Sequence, residues 1–421
     1  MRAQRIVLAC FGSLGDLHPY IAIAKALIGR GQNPLIASMD RNRAAVAAEG
    51  IDFAPMRPSE AQMGDPAAVL ERLLDPIRGP EYLIRGLVLP HLRESYDDLA
   101  AAAEGADLIV SHPLAFAAPL LAEKRGLAWA STVLSPFSMM SAIDPPLFPA
   151  APFLRWARWL GIAPYRALFG LLKLPLARWE RPIAGLRAEL ALPPSHRQAL
   201  FEGQFSPQLN LALFPPLLAQ PREDWPPATQ QCGFARHDGA PADPGTVARL
   251  EAFLAAGEPP IVFTLGSSVA LRPGNFAAAA IEAARRLRRR AILILPGAAQ
   301  AGAQDEDGIA HFDYLPYSTV FPRAAANIHP GGIGTLSQAL VAGRPQLVLP
   351  AAFDQPDNAR RAAALGVART LRWRRTDAAS LTSALSELLG SARYADAARA
   401  AAVPAATDGA KRAAELLITM A

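Results

Sequence analysis

Ala326-Asn327-Ile328-His329, followed by Pro330-Gly331-Gly332-Ile333-Gly334-Thr335-Leu336-Ser337-Gln338, decides how this chain folds. A short apolar run stops at a glycine-rich turn, and helical spacing begins directly after it. Glycines at such a junction let the backbone approach a ligand, and the free N–H groups of a helix N-terminus attract an anion. About twenty residues further on, the strand Gln346–Pro350 also ends at a polar loop, Phe353-Asp354-Gln355, with Asn358 beyond it. In a parallel sheet both strand ends open on one crevice, where ligands of such folds bind. The spacing predicts a cradle for a diphosphate beside groups suited to a polyol. A Gly-Lys-Ser/Thr is missing, which excludes a nucleoside-triphosphate loop.

The same rhythm extends in both directions. Pro260–Gly266 and Ala291–Pro296 read as strands flanking a helix, Phe276–Arg290. In the first half, Ile6–Phe11, Pro34–Ser38, Ile51–Met56, Asp107–Ser111 and Ala128–Leu134 are short apolar runs separated by helical stretches. Strands alternating with helices imply βαβ units and parallel sheets. The expected fold class is α/β: two doubly wound domains facing each other across a cleft, residues 1–217 and 218–400. The Pro-rich segment from Phe214 to Pro227 is expected to join them, and residues 401–421 to form a helix returning toward the first domain. After Ile6–Phe11 comes Gly12-Ser13-Leu14-Gly15-Asp16-Leu17-His18-Pro19, with helical periodicity from Pro19 to Arg30. Its glycine spacing lacks the third glycine of a dinucleotide fingerprint. A tight turn capped by Ser13 or Asp16 is an equally good reading of the spacing alone.

Composition narrows the class further. The chain has 421 residues, 51% hydrophobic and 19% charged, which excludes a mostly disordered protein. A net charge of +5 argues against a dedicated nucleic-acid binder but suits small anionic substrates or an anionic lipid surface. Two cysteines, Cys10 and Cys232, cannot build a disulfide framework and read as buried strand residues of a reducing compartment. The apolar run ending at Phe11 is too short for a signal peptide, and no uncharged apolar stretch is long enough to span a bilayer. The expectation is a cytoplasmic protein, soluble or at most peripheral to a membrane. Asp305-Glu306-Asp307 lies in a Gly/Ala/Gln-rich stretch and is expected to be a solvated turn rather than a metal site. Arg285, Arg286, Arg288, Arg289 and Arg290 suit the negative end of a helix and solvent.

The segment His329–Asn358 resembles the donor-site signature of the GT-B glycosyltransferases related to plant and bacterial UDP-glycosyltransferases. The matching residues are Gly331, Gly332, Gly334, Thr335, Gly343, Pro345, Pro350, Asp354, Gln355 and Asn358. The N-terminal Gly-Ser-x-Gly-Asp-x-x-Pro is similar to the bacterial branch. Asp224-Trp225-Pro226, Val262-Phe263-Thr264, Gly266-Ser267 and Ser135-Pro136 extend the likeness, most closely to the rhamnosyltransferases of rhamnolipid synthesis. The resemblance implies a GT-B fold and an inverting transfer of a sugar from a nucleoside diphosphate to an acceptor hydroxyl, without metal or other cofactor. It implies dTDP-rhamnose or UDP-glucose as donor and a hydrophobic or lipid-like acceptor such as a 3-hydroxy fatty acid.

The resemblance also assigns roles. Asp16 takes the place of the catalytic base, with His18 as the alternative. Gly266, Ser267, Gly331, Gly332, Gly334 and Thr335 fall at the diphosphate, Tyr314 at the nucleobase, Gln338 at the ribose, and Asp354 and Gln355 at sugar hydroxyls. His329 also falls on the donor side, but one residue before the usual histidine its side chain should start on the opposite side. Ser13, Gly15, His18, His112, Phe153 and Trp156 fall on the acceptor side. Two departures stand out. Pro330 occupies the position where most relatives carry a histidine, and Gln338 replaces a ribose-binding glutamate, which favours a deoxyribose nucleotide. Neither His18 nor His112 has a readable acidic partner. The stretch Phe153–Trp179, with Trp156, Trp159, Phe169 and Trp179 beside Arg155, Arg158, Arg166, Lys173 and Arg178, suits a core helix, an acceptor pocket or a membrane-surface helix. A nucleotide-sugar epimerase, or a lipid-binding partner subunit without turnover, would use the same architecture.

Overall fold

The computed structural model describes residues 2–151, 153–266, 275–296 and 308–420. The chain divides into two units, residues 1–237 with 407–421, and residues 238–406.

The first unit is built on seven strands: β1 (Arg5–Ala9), β2 (Asn33–Ser38), β3 (Asp52–Pro55), β4 (Leu108–Ser111), β5 (Ala128–Val133), β6 (Leu209–Ala212) and β7 (Thr229–Gln231). Their order is β3-β2-β1-β4-β5-β6-β7, and every neighbouring pair is parallel. Central strands of such a sheet are covered on both faces, so they read as unbroken apolar runs. Ile6, Val7, Leu8 and Ala9 are fully buried accordingly. On one face Val7, Ala9 and Ile109 pack with Leu92, Leu99 and Leu121. The helix after β1 runs Leu14–Ile28, so it begins five residues before the periodicity suggested and includes Gly15, Asp16 and His18.

Two boundaries differ from the sequence reading. The Pro-rich segment is no interdomain linker: it crosses from β6 to β7 within one sheet, with Asn210 opposite Thr229. The first unit therefore continues to His237 instead of ending at 217. Residues 401–421 are also split, because the helix Ala392–Ala405 belongs to the second unit and the helix Gly409–Met420 to the first. That last helix buries Ala413, Ala414 and Leu417, and its Glu415 pairs with Arg30 at 2.9 Å.

The second unit repeats the plan with β8 (Ile261–Thr264), β9 (Ala291–Ile294), β10 (Ile309–Phe312), β11 (Ala326–His329), β12 (Gln346–Val348) and β13 (Ala368–Thr370). The order β10-β9-β8-β11-β12-β13 is again wholly parallel. In each sheet the winding reverses once, between β1 and β4 and between β8 and β11. The loops that follow those strands lead away in opposite directions and leave a crevice at the strand C-termini. Each candidate centre lies at one of these reversals.

Candidate active site

In the first unit the loop after β1 folds Asp16 back onto its own helix N-terminus. Gly12 makes this possible: its φ is +132°, and a Cβ there would sit 2.2 Å from Asp16 Oδ2. The N–H and Oγ of Ser13, the residue before the helix, donate to Oδ2 at 2.7 and 3.0 Å. His112, just beyond β4, brings Nε2 to 3.5 Å from Asp16 Oδ1. The Leu114 N–H donates to His112 Nδ1 at 3.1 Å, which places the ring proton on Nε2 and aims it at the carboxylate. Burial pushes the Asp16 carboxyl up, but the His112 and Ser13 donors outweigh it and hold the pKa below the usual range. Asp16 is thus an ionised carboxylate whose side chain is 33% exposed, able to accept a proton on Oδ1.

His112 does have an acidic partner, contrary to the sequence reading, and it is Asp16. With only 6% of its side chain exposed, His112 faces the Asp16 carboxylate, lowers its pKa and offers little surface to an acceptor. His18 is half-buried, its ring edge-on to His237 at 5.2 Å, and His237 Nε2 lies 3.3 Å from Glu49 Oε1. Ser13 and Gly15 are also half-buried, so the helix start is open to a ligand. Arg41 braces the loop by donating to the Gly12 carbonyl at 2.8 Å.

The second unit holds the glycine-rich loop after β11. His329 is fully buried: its Nε2–H donates to Gln346 Oε1 at 3.0 Å, and Nδ1 accepts the Gly331 N–H at 3.1 Å. Burial pushes its pKa down to about 4. The neutral ring has both nitrogens engaged, so His329 is corrected from a donor contact to a brace beneath the loop. Gly331 has φ +88°, and a Cβ there would lie 2.6 Å from Val348 Cγ1. Gly332 precedes the helix Ile333–Val341, whose first-turn N–H groups have no acceptor inside the helix. Residues Gly332, Ile333, Gly334 and Thr335 are all half-buried and reachable. Tyr317 bonds both Thr264 Oγ1, at 2.9 Å, and Thr335, while Gly266, at φ +60°, faces the Thr335 hydroxyl. The ends of β8 and β11 therefore meet at the reversal. Ser267, Asp305 and Asp307 lie outside the described residues.

Asn358 ties the two polar loops together, donating to the Gly331 carbonyl at 3.0 Å and to Asp354 Oδ2 at 2.8 Å. Asp354 is half-buried at the start of the helix Gln355–Ala364. Gln355 is buried, with Oε1 accepting from the Ala351 and Ala352 N–H groups at 2.9 and 3.2 Å. The sequence reading missed Asp238. Its Oδ1 accepts from Gln338 Nε2 at 2.9 Å and from the Ser318 N–H at 3.3 Å, so a carboxylate stands behind the neutral amide. Tyr314 donates its hydroxyl to the Asp238 carbonyl and is 43% exposed. With Pro241, Asp243, Arg249 and Phe312 it lines a cavity of about 350 Å³. Among the described residues no group of three or more His, Cys, Asp or Glu could hold a metal ion.

Two sheets of one winding order, each with a ligand-accessible loop at its reversal, define a two-domain α/β enzyme of the nucleotide-binding type. Residues 279–416 match the family model described as erythromycin biosynthesis protein CIII-like, C-terminal domain. The chain is 31% identical to glycosyltransferase GtfE of Amycolatopsis orientalis, over 98% of this chain and 97% of that protein. Among solved structures, glycosyltransferase VinC in complex with dTDP superposes with a TM-score of 0.71 at 21% identity, covering 99% of both chains. The spinosyn rhamnosyltransferase SpnG does so with a TM-score of 0.68 at 20% identity, also covering 99% of both. The chain belongs to the GT-B glycosyltransferase superfamily and is a nucleotide-sugar-dependent glycosyltransferase.

Proposed function

We propose that the enzyme moves rhamnose from dTDP-rhamnose, or glucose from UDP-glucose, to the hydroxyl of a hydrophobic acceptor such as a 3-hydroxy fatty acid, with inversion and without metal. The observation that carries the chemistry is the Asp16 carboxylate, kept ionised by His112 and Ser13 and still partly exposed. The acceptor oxygen attacks the anomeric carbon as the bond to the diphosphate oxygen breaks, and the hydroxyl proton passes to Asp16 Oδ1. The departing charge is taken up by the N–H groups at the start of the helix Ile333–Val341, which carries about half a positive charge there. Thr335 assists, Tyr314 stacks on the base, and Asp354 with Gln355 holds sugar hydroxyls.

Support for the donor comes from the neutral amide of Gln338, which suits a nucleotide lacking the ribose 2′-hydroxyl. A dTDP complex of VinC and the rhamnosyl activity named for SpnG point the same way. Support for the acceptor comes from Phe153 and Trp156, whose exposed rings offer apolar surface to an alkyl chain. A peripheral position at the inner face of a membrane suits such an acceptor.

The test is a series of 3-hydroxy acids of increasing length. Each buried methylene adds about 0.8 kcal/mol, so kcat/KM climbs with length until the groove is full. Equal use of short polar sugars would overturn the lipid reading and leave glycosyl transfer intact.

A further inference from the structure

Residues 145–179 contain Arg155, Arg158, Arg166, Lys173 and Arg178 but no Asp or Glu. They lie between β5 and β6, outside the alternating pattern of the sheet, and include the helices Phe153–Ala157 and Ile162–Lys173. Their inner side is pinned. Leu154 and Tyr165 are buried against Ala142, Phe148 stacks on Phe169, and Lys173 pairs with Glu202 while its ammonium lies over Phe169 and Phe201.

That anchoring turns the other side outward. Phe153 is 54% exposed, Trp156 68%, Trp159 84% and Leu160 74%, and the two indole rings stand 5.8 Å apart. Tryptophan is mostly buried in folded proteins, and a contiguous exposed patch marks a partner surface. Arg155 is exposed beside the rings and Arg158 is half-buried. Neither has an acidic partner among the described residues, whereas Arg166 approaches Asp224 at 3.8 Å. Unneutralised cations around exposed tryptophans complement an anionic interface, where indole rings sit at headgroup level. No helix among the described residues is long and apolar enough to cross a membrane.

We propose that Arg155–Leu160 docks the protein onto the surface of an anionic lipid bilayer, with Trp159 and Leu160 entering the headgroup layer and Arg155 and Arg158 meeting lipid phosphates. This surface contact goes beyond the transfer chemistry and does not depend on it.

The experiment is co-sedimentation of the full chain with vesicles of phosphatidylcholine, alone or mixed with phosphatidylglycerol. Binding is expected with the mixed vesicles and should weaken as salt rises. A basic residue near an anionic surface strengthens binding about five-fold, so Arg155→Gln with Arg158→Gln should weaken it about 25-fold. Trp159→Ser with Leu160→Ser should weaken it at least about ten-fold, since both present mostly exposed apolar surface. Circular dichroism confirms that each variant is folded. Wild type that stays in solution with both vesicles, or variants that bind like wild type, would overturn the proposal. So would a concentration-dependent dimer that is lost in the Trp159/Leu160 variant while vesicles have no effect, because a second copy would then cover the patch. Donor turnover without vesicles reads the transfer chemistry separately.

Discussion

His329 makes the stability of the second unit depend on pH in a way that can be isolated. Folding holds this ring neutral, with its pKa lowered from 6.5 to about 4 by burial. Between those values the unfolded chain binds the extra proton and the folded chain does not. Unfolding is therefore favoured as the pH falls, and the full contribution is present only above the unfolded value of 6.5. A shift of this size removes about 2 kcal/mol by pH 5 and about 3 kcal/mol once the pH is below the folded value. The perturbation is His329→Gln, which keeps a polar group under the Gly331 N–H but cannot titrate. Urea unfolding of both proteins at about pH 7.5, 6 and 5 yields the difference curve. Wild type should lose about 2 kcal/mol more than the variant across that range. Parallel loss in the two proteins would show that His329 is not the buried neutral brace described here.

Asp16→Asn should lower kcat by about 10²–10⁴ while calorimetry finds donor affinity unchanged, and a variant near wild type would remove Asp16 from the mechanism. His112→Ala removes a donor that holds the Asp16 pKa down, so the acid limb of kcat/KM should move to higher pH; an unmoved limb would leave His112 without that role. Gly331→Ala forces a side chain into φ +88° and toward Val348 at 2.6 Å. Donor affinity should fall by at least about ten-fold as strain distorts the loop, and wild-type affinity would refute the cradle. Turnover should survive excess EDTA. Loss restored by Mg²⁺ or Mn²⁺ would bring Asp305 and Asp307 into the chemistry.

The strands at the centre of each sheet were legible because both of their faces are buried, which leaves an apolar run in the sequence. β6, β7, β10 and β13 were not: each lies at or next to a sheet edge, and Thr229-Gln230-Gln231 of β7 has no apolar residue to betray it. With β7 hidden, the prolines before it looked like a linker and the domain boundary moved. The glycine loops could be read because their conformations demand glycine, as at Gly12 and Gly331. Partnerships across the fold could not be read. Asp16 and His112 are joined only by the adjacency of β1 and β4, and Gln338 meets Asp238 only through packing. The one-residue displacement of His329 from the usual histidine position turns its ring to the opposite side, but the motif does not show that Gln346 and the Gly331 N–H hold it there. In Phe153–Trp179 tryptophans and cations alternate along the sequence, and it is the packing of Leu154 and Tyr165 against Ala142 that shows which side is left outside.

Inverting sugar transfer is tested most directly by incubating the enzyme with dTDP-rhamnose or UDP-glucose and a long-chain 3-hydroxy acid, then determining the anomeric configuration of the product by NMR. The expected result is one glycoside whose configuration is opposite to that of the donor, formed in step with free nucleoside diphosphate and missing with Asp16→Asn. Retained configuration, or conversion of the nucleotide sugar with no acceptor present, would contradict it.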